Sequence, residues 1–205
     1  MRKHIFQWII GSGLVFCAVI FLIVACSSQP HLITNYGTSP EIFNRNAKLK
    51  VAVLPFRNAT GVGGVGVKIC EEFTIQLLKN ENITVLERTR IDDLIKELQI
   101  SDYEEIEGNT AMRLGKMLQA DAVLIGTVYK YRPVWIDKSP PEIGLSARLV
   151  MVETGQTLWA GSDSFRGDDY SVQLLVPPQE RWKIRENIKF LSEVLCRELA
   201  KTIGS

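Results

Sequence analysis

The spacing of hydrophobic and polar positions predicts alternating strands and helices between residues 48 and 131. Near-continuous apolar runs are typical of strands covered on both faces, and apolar residues at three- and four-residue steps are typical of helices. The order β-α-β-α-α-β favours parallel strands joined by right-handed crossovers. The predicted strands are 50–55, 83–86 and 122–131, and the predicted helices are 67–79, 89–98 and 110–118.

The pattern changes after residue 144. Residues 145–151 alternate in polarity, a turn follows at 153–156, and a second alternating run covers 157–165, which predicts an antiparallel hairpin. A last helix is predicted from about Gln179 to Ile203. The chain is therefore expected to form an α/β sandwich of two or three layers. Its mixed sheet would combine a parallel βαβααβ half with the C-terminal hairpin, and about four helices would cover it.

The N-terminal segment has the character of an export signal. Arg2 and Lys3 precede an uncharged and mostly apolar run over 5–25, which is typical of a signal peptide or a membrane anchor. The run ends in Ile23-Val24-Ala25-Cys26, which resembles the bacterial lipobox. This motif implies cleavage before Cys26 and a lipid on its thiol. An uncleaved membrane helix with an incidental cysteine is the alternative.

These features predict a lipoprotein signal peptide at 1–25, a lipidated tether at 26–47 and a single α/β domain at 48–205. Ser27 after the cysteine implies sorting to the outer membrane, with the domain on the periplasmic side. Removing the signal leaves 22 basic and 23 acidic residues. That balance argues against a nucleic-acid partner, which favours a basic face.

Three glycines between the first strand and the first helix raise the question of nucleotide binding. Gly61, Gly63 and Gly66 spell G-x-G-x-x-G, and Glu87 lies 21 residues beyond Gly66, as in dinucleotide-binding units. However, residues 56–60 separate the strand from the first glycine, and no Gly-Lys-Ser/Thr follows. We therefore expect a flexible loop that binds no nucleotide or other cofactor.

Residues suited to catalysis are scarce. The two histidines, His4 and His31, lie in the signal and the tether, so the predicted domain offers no histidine for a triad or a zinc site. Glu87, Asp121 and Glu153 could in principle pair as acid and base, as in sugar cleavage, but nothing in the pattern brings two of them together. We expect neither an enzyme nor a metal site.

Two cysteines remain within the predicted domain. Cys70 and Cys196 each fall in a predicted helix. They are either two small buried residues or one disulfide that joins the first and last helices, which an oxidising periplasm permits. The sequence leaves both possibilities open.

Four segments carry motifs in a recurring order: "VAVLPFRNATG", "TVLERTRIDDLIKEL", "AMRLGKMLQADAVLIGTV" and "LSARLVMVETGQTLWAG". They include a strand ending in Pro-Phe, Glu87-Arg88 closing the second strand, and Leu-Gly-Lys before Ala-Asp. In this order they resemble the CsgG/LpoB/PelC group of bacterial envelope lipoproteins over about residues 50–161. The same core is similar to the N-terminal domain of TolB.

The resemblance implies a non-enzymatic outer-membrane lipoprotein that builds or activates an export or cell-wall machine. The short connectors leave no room for the long hairpins of the CsgG pore, and about 20 residues of tether reach at most ~70 Å, short of the LpoB arm. A PelC-like or CsgG-like accessory role in export therefore fits best by elimination. An LpoB-like activator of a penicillin-binding protein in peptidoglycan synthesis is the alternative, and a periplasmic carboxylate enzyme is less favoured.

Two surface contacts are also predicted. Trp182 stands between Arg181 and Lys183 at the start of the last helix, where it would either meet the membrane interface or pack into the core. Anchoring in a plane favours weak lateral contacts, so a homo-oligomer, a closed ring, is expected. The hairpin and the loop of Gly61, Gly63 and Gly66 are the candidate subunit contacts.

Overall fold

The computed structural model describes residues 35–39, 48–100, 106, 108–134 and 138–204. These residues form a seven-stranded mixed sheet with helices on both faces, which confirms the predicted α/β class. The strands are β1 (Asn35–Thr38), β2 (Leu49–Val53), β3 (Arg57–Asn58), β4 (Ile83–Val85), β5 (Ala122–Arg132), β6 (Glu142–Met151) and β7 (Thr157–Arg166). The helices are α1 (Val65–Leu77), α2 (Arg88–Glu97), α3 (Asn109–Met117), α4 (Tyr170–Gln173), α5 (Arg181–Glu186) and α6 (Ile188–Lys201), with a 3-10 turn at Pro178–Glu180.

Strand β5 divides the sheet into its two halves. The strand order is β1-β7-β6-β5-β2-β4, with β3 beside β5. β5 pairs parallel to β2 and β3, and antiparallel to β6, which continues through β7 to β1. The predicted parallel half and C-terminal hairpin are therefore confirmed.

The two faces of the sheet are covered differently. On one face α1 and α6 pack against each other, and the ring of Phe73 lies 5.8 Å from Phe56 and 6.3 Å from Trp159 between ring centroids. On the other face, buried residues of α2 and α3 pack against Val123 and Val150. Because successive residues of a strand point to opposite faces, the fully apolar run of β5 serves both layers.

The last helix differs from its prediction. The structure ends α5 at Glu186 and starts α6 at Ile188, because Asn187 is extended, with φ −126° and ψ 102°. The Asn187 side chain accepts hydrogen bonds from the amides of Lys189 and Phe190, at 3.0 and 3.3 Å. Asparagine is a favoured residue at this capping position. The apolar spacing continues across the break, so periodicity alone predicted one helix here. The total of about four predicted helices is lower than the six that the described residues form.

Two strands were not predicted at all. β1 lies within the segment taken as a tether, where Tyr36 pairs with Gly161 of β7 and the amide of Ser39 donates to the carbonyl of Leu158 at 2.8 Å. β3 continues the path of β2 along β5 after an irregular step at residues 54–56. Both strands are too short to show a hydrophobic period, and each exists through its pairing with a longer neighbour.

Candidate functional site

The glycine-rich segment is an ordered loop held by its own side chains. Asn58 donates through Nδ2 to the carbonyl of Val62 at 2.8 Å, and its Oδ1 accepts from the Thr60 hydroxyl at 2.7 Å. Gly61 and Gly64 have φ of +75° and +73°, a region that favours glycine. The glycines therefore provide the backbone conformation of this strand-to-helix turn.

Gly66 has a packing role. It is buried, and a Cβ at this position would lie 2.0 Å from the carbonyl oxygen of Phe56. The absence of a side chain lets α1 approach the path between β2 and β3. Gly66 thus offers no surface to another subunit, contrary to the predicted contact. Gly61 and Gly63 are exposed, and a subunit contact there stays a prediction.

The three candidate acid–base residues have separate positions. Asp121 accepts a hydrogen bond from the Lys50 amide at 2.8 Å, and its carbonyl accepts from the Val152 amide at 2.9 Å, so it joins β2, β5 and the end of β6. Glu87 precedes α2 and accepts from the Thr89 hydroxyl. Glu153 is exposed in the β6–β7 turn. The groove that Glu87 lines contains neither of the other two.

Cys70 is buried beside an arginine that the sequence did not connect to it. Nη1 of Arg88 donates to the sulfur at 3.2 Å, and the thiol donates to the carbonyl of Leu54 at 3.3 Å. Burial raises the pKa of the Cys70 thiol to about 11. Nε of Arg88 also lies 2.9 Å from a carboxylate oxygen of Asp92. Arg88 thereby links α1 to α2, and the thiol stays protonated at neutral pH.

Cys196 is the second free thiol of the described chain. It is fully buried in α6, and burial raises its pKa well above the ordinary value. Neither Cys70 nor Cys196 forms a disulfide. Of the two possibilities left open by the sequence, the structure therefore contains the pair of small buried residues.

Trp182 lies on the surface of α5, not in the core. Its side chain is 57% exposed. The ammonium group of Lys183 lies 2.9 Å from a carboxylate oxygen of Glu180 and 5.3 Å from the centroid of the Phe190 ring. The core alternative for Trp182 is thus wrong, and contact with a membrane stays a prediction.

A groove between α2 and α3 has an apolar floor and an acidic rim. Its volume is about 430 Å³. Leu94, Met117 and Leu118 form the floor, and Met117 is 46% exposed. The rim carries three carboxylates and one cation, namely Glu87, Asp93, Glu97 and Arg90. Such a groove suits an apolar group with positively charged neighbours.

A second groove of about 540 Å³ lies on the sheet where β1, β7, β6 and β5 meet. Small and hydroxyl-bearing residues line most of it, including Thr127, Ser146 and Ser162. Arg148 is the one charged residue among its described lining residues.

The described ranges hold neither a membrane-crossing segment nor a metal-binding cluster. No helix in them is both long enough and apolar enough to span a bilayer. No group of three or more histidine, cysteine, aspartate or glutamate residues in them is placed to hold a metal ion. Cys26 lies outside the described residues, so its lipidation stays a prediction.

The fold defines a class of protein: a small α/β domain built on one seven-stranded mixed sheet with helices on both faces. Residues 41–133 match the model of a family described as the curli production assembly/transport component CsgG. This match confirms the resemblance of the chain to the CsgG/LpoB/PelC-like group of proteins.

Solved structures share the fold at low sequence identity. The PelC dodecamer from Paraburkholderia phytofirmans is 15% identical, with 84% of this chain and 96% of that chain covered and a TM-score of 0.56. Lipoprotein GNA1162 from Neisseria meningitidis is 23% identical, with 58% and 80% covered and a TM-score of 0.50. No curated protein matches the chain. These likenesses show the fold.

Proposed function

We propose that this chain is a non-enzymatic lipoprotein of the outer membrane, held on the periplasmic side by a lipid on Cys26. It serves as a subunit or assembly factor of a cell-envelope export apparatus. The observation that carries the proposal is the match of residues 41–133 to an assembly and transport component. The lipobox-like sequence before Cys26 supports the anchor.

Strand β1 supports a position close to the membrane. It begins at Asn35, nine residues after Cys26, and pairs with β7. Nine residues span at most about 30 Å, less than half the reach estimated for a tether that ends at residue 47. A lipid on Cys26 would thus hold the sheet near the bilayer. This distance weighs against the LpoB-like alternative, which requires a long arm.

A non-enzymatic role agrees with the state of the reactive groups. The carboxylate of Asp121 accepts from the Lys50 amide. The thiol of Cys70 is buried with a pKa of about 11, so at neutral pH it is not a thiolate nucleophile. Asp121 and Cys70 therefore serve the fold, and Glu87 and Glu153 lie apart from each other.

Self-association is part of the proposed function. Subunits held in one plane by short tethers meet at a raised effective concentration, so weak lateral contacts are enough for assembly. One structural neighbour, the PelC dodecamer, has 96% of its length covered, which supports a homo-oligomer built on this fold. We propose a closed ring, since head-to-tail contacts that close form rings.

The test is the set of proteins that the full chain contacts in its own envelope. A C-terminally tagged chain is cross-linked in cells and purified from membranes, and its partners are identified by mass spectrometry. We expect copies of the chain and components of an export apparatus. The Cys26→Ala variant should lose them, whereas Cys17→Ala, which changes the signal peptide only, should keep them.

Two outcomes would contradict the proposal. Recovery mainly of peptidoglycan synthases would favour the activator alternative. An identical set of partners for the wild type and Cys26→Ala would mean that the anchor does not position the protein.

A further inference from the structure

We propose that the exposed Trp182 of one copy of this chain docks in the α2–α3 groove of the next copy. This inference rests on the proposed self-association and assigns its contact surfaces. The docking surface is defined as Arg181, Trp182 and Arg185, and the acidic groove is defined as Glu87, Arg90, Asp93, Leu94, Glu97, Met117 and Leu118.

The docking surface contains two residue types that are enriched among binding hot spots, tryptophan and arginine. Trp182 is 57% exposed on a helix of six residues, so its indole has little cover in the isolated chain. Arg185 is exposed, and no described residue forms an ion pair with it. Tryptophan and arginine are the residues that most often dominate binding energy when a partner buries them.

The acidic groove provides the complementary chemistry. Leu94 and the half-exposed Met117 give an apolar floor for an indole, and methionine sulfur contacts aromatic rings favourably. Asp93 and Glu97 are four residues apart on α2 and lack ion-pair partners among the described residues. Like charges at this spacing destabilise a helix slightly, and a cation placed beside them relieves the repulsion.

The two surfaces lie at opposite ends of the sheet. Leu118 of the groove lies just before the start of β5. In contrast, α5 lies near the start of β6, because a Cβ on Gly167 would be 2.5 Å from the carbonyl oxygen of Ile184 in α5 and 2.9 Å from Pro141, which directly precedes β6. Ala122 pairs with Met151 and Arg132 with Glu142, so the length of β5 separates the two ends, about 30 Å. A chain therefore cannot fill its own groove. The contact joins head to tail, and contacts of this kind form a ring where the rotation between copies closes.

A second copy fits the docking surface better than a lipid headgroup does. Lys183, the cation next to Trp182, is already paired with Glu180 and lies over Phe190. The matching apolar and acidic site is present on the same chain, so every copy brings both halves of the contact.

The experiment measures the mass of the full lipidated chain in detergent by mass photometry across micromolar and submicromolar concentrations. We expect wild-type oligomers. Trp182→Ala, Glu97→Lys and Arg185→Glu should each raise at least tenfold the concentration at which half of the oligomer dissociates. A change of this size is roughly what the loss of one buried anchor residue or one charge pair produces. The double variant Glu97→Lys/Arg185→Glu should recover much of the loss, as a coupled pair does.

The control is Tyr170→Ala, which removes another aromatic side chain, 68% exposed, and should leave the mass unchanged. Wild-type oligomers that persist in all three single variants would overturn the contact and leave self-association standing. A double variant that is no better than either single variant would also overturn it. A strictly monomeric wild type would overturn both proposals. Loss of binding to phosphatidylethanolamine–phosphatidylglycerol vesicles by Trp182→Ala, with the oligomer intact, would assign Trp182 to the membrane.

Discussion

At the residue scale, two buried thiols are held in the fold, and one of them, Cys70, pairs with Arg88. The guanidinium group contacts the sulfur and Asp92 together, and the thiol is fully covered. Cys196 is covered by α6 and its neighbours. Cover of this kind removes both access and ionisation, which are the two conditions for thiol reactivity.

We therefore predict that neither Cys70 nor Cys196 of the folded, processed protein reacts with a thiol reagent at pH 8. Unfolding in guanidinium chloride should release both. Stability should also fall as the pH rises from about 9 through about 11, because the unfolded thiol ionises there while the folded Cys70 thiol keeps its proton. Reaction of either thiol before unfolding would show that the helices do not cover it.

Asp163, in contrast to the buried thiols, lowers the stability of the folded chain at neutral pH. It pairs across the sheet with the buried Leu145, its Oδ1 accepts from the Ser164 amide at 2.7 Å, and its Oδ2 is buried without a partner among the described residues. Burial raises the pKa of this carboxyl. The charged form is therefore less favourable in the folded chain than in the unfolded chain.

The substitution Asp163→Asn should stabilise the protein at pH 7. The expected gain is only about 0.5 kcal/mol, because the side chain keeps part of its solvent contact. As the pH falls through the raised pKa and below the ordinary value of 3.8, the wild type should recover this loss, so the difference should vanish near pH 3. Urea unfolding at both pH values provides the measurement. A variant less stable than the wild type at pH 7 would contradict the prediction.

At the element scale, Gly66 sets how closely α1 packs on the sheet. Gly66→Ala places a methyl group against the Phe56 carbonyl, and backbone on both sides limits relief. We expect a loss of about 3 kcal/mol, typical of strong overpacking. Gly63→Ala is the matched control, since nothing lies within 4 Å of its Cβ position. Thermal unfolding of the two variants should differ by several degrees. Equal midpoints would mean that Gly66 does not set how closely α1 packs on the sheet.

The break between α5 and α6 gives another test at this scale. Asn187→Ala removes two hydrogen bonds to the start of α6 and should cost about 1 kcal/mol. Asn187→Ser keeps a capping oxygen and should cost less than the alanine variant. A neutral Asn187→Ala would show that the helix continues through residue 187, as its apolar spacing alone would suggest.

The elements that sequence predicted well are those with a long hydrophobic period. α1, α2, α3 and the hairpin lie within a few residues of their predicted bounds, because their apolar faces repeat over two or more turns or pairs. β1 and β3 have four and two residues, and only their pairing with β7 and β5 reveals them. Pairing of this kind is a property of the tertiary structure.

The candidate site shows the same division between local and long-range information. The local sequence around Gly66 fits a loop glycine and a packing glycine equally, and only the contact with Phe56 separates them. Trp182 fitted both the surface and the core, since the apolar spacing of its helix does not fix which face is covered. Arg88 and Cys70 are 18 residues apart, and the packing of α1 against α2 brings them together.

At the scale of the whole molecule, one sheet combines two kinds of surface. The parallel half is covered by α2 and α3, which form the acidic groove, and the antiparallel half ends next to α5 with its exposed tryptophan. A domain that presents complementary surfaces at opposite ends is suited to assembly in a plane. The short segment from Cys26 to β1 would hold each copy in that plane.

The central claim is that Cys26 anchors this domain to the outer membrane, and separation of envelope fractions tests it most directly. Wild type, Cys17→Ala and Cys26→Ala are expressed in a Gram-negative cell, and their mass and fraction are determined by mass spectrometry and density-gradient centrifugation. The wild type and Cys17→Ala should be processed and lipidated in the outer-membrane fraction. Cys26→Ala should be unprocessed or leave that fraction. A Cys26→Ala protein that is still processed and found with the outer membrane would contradict the claim.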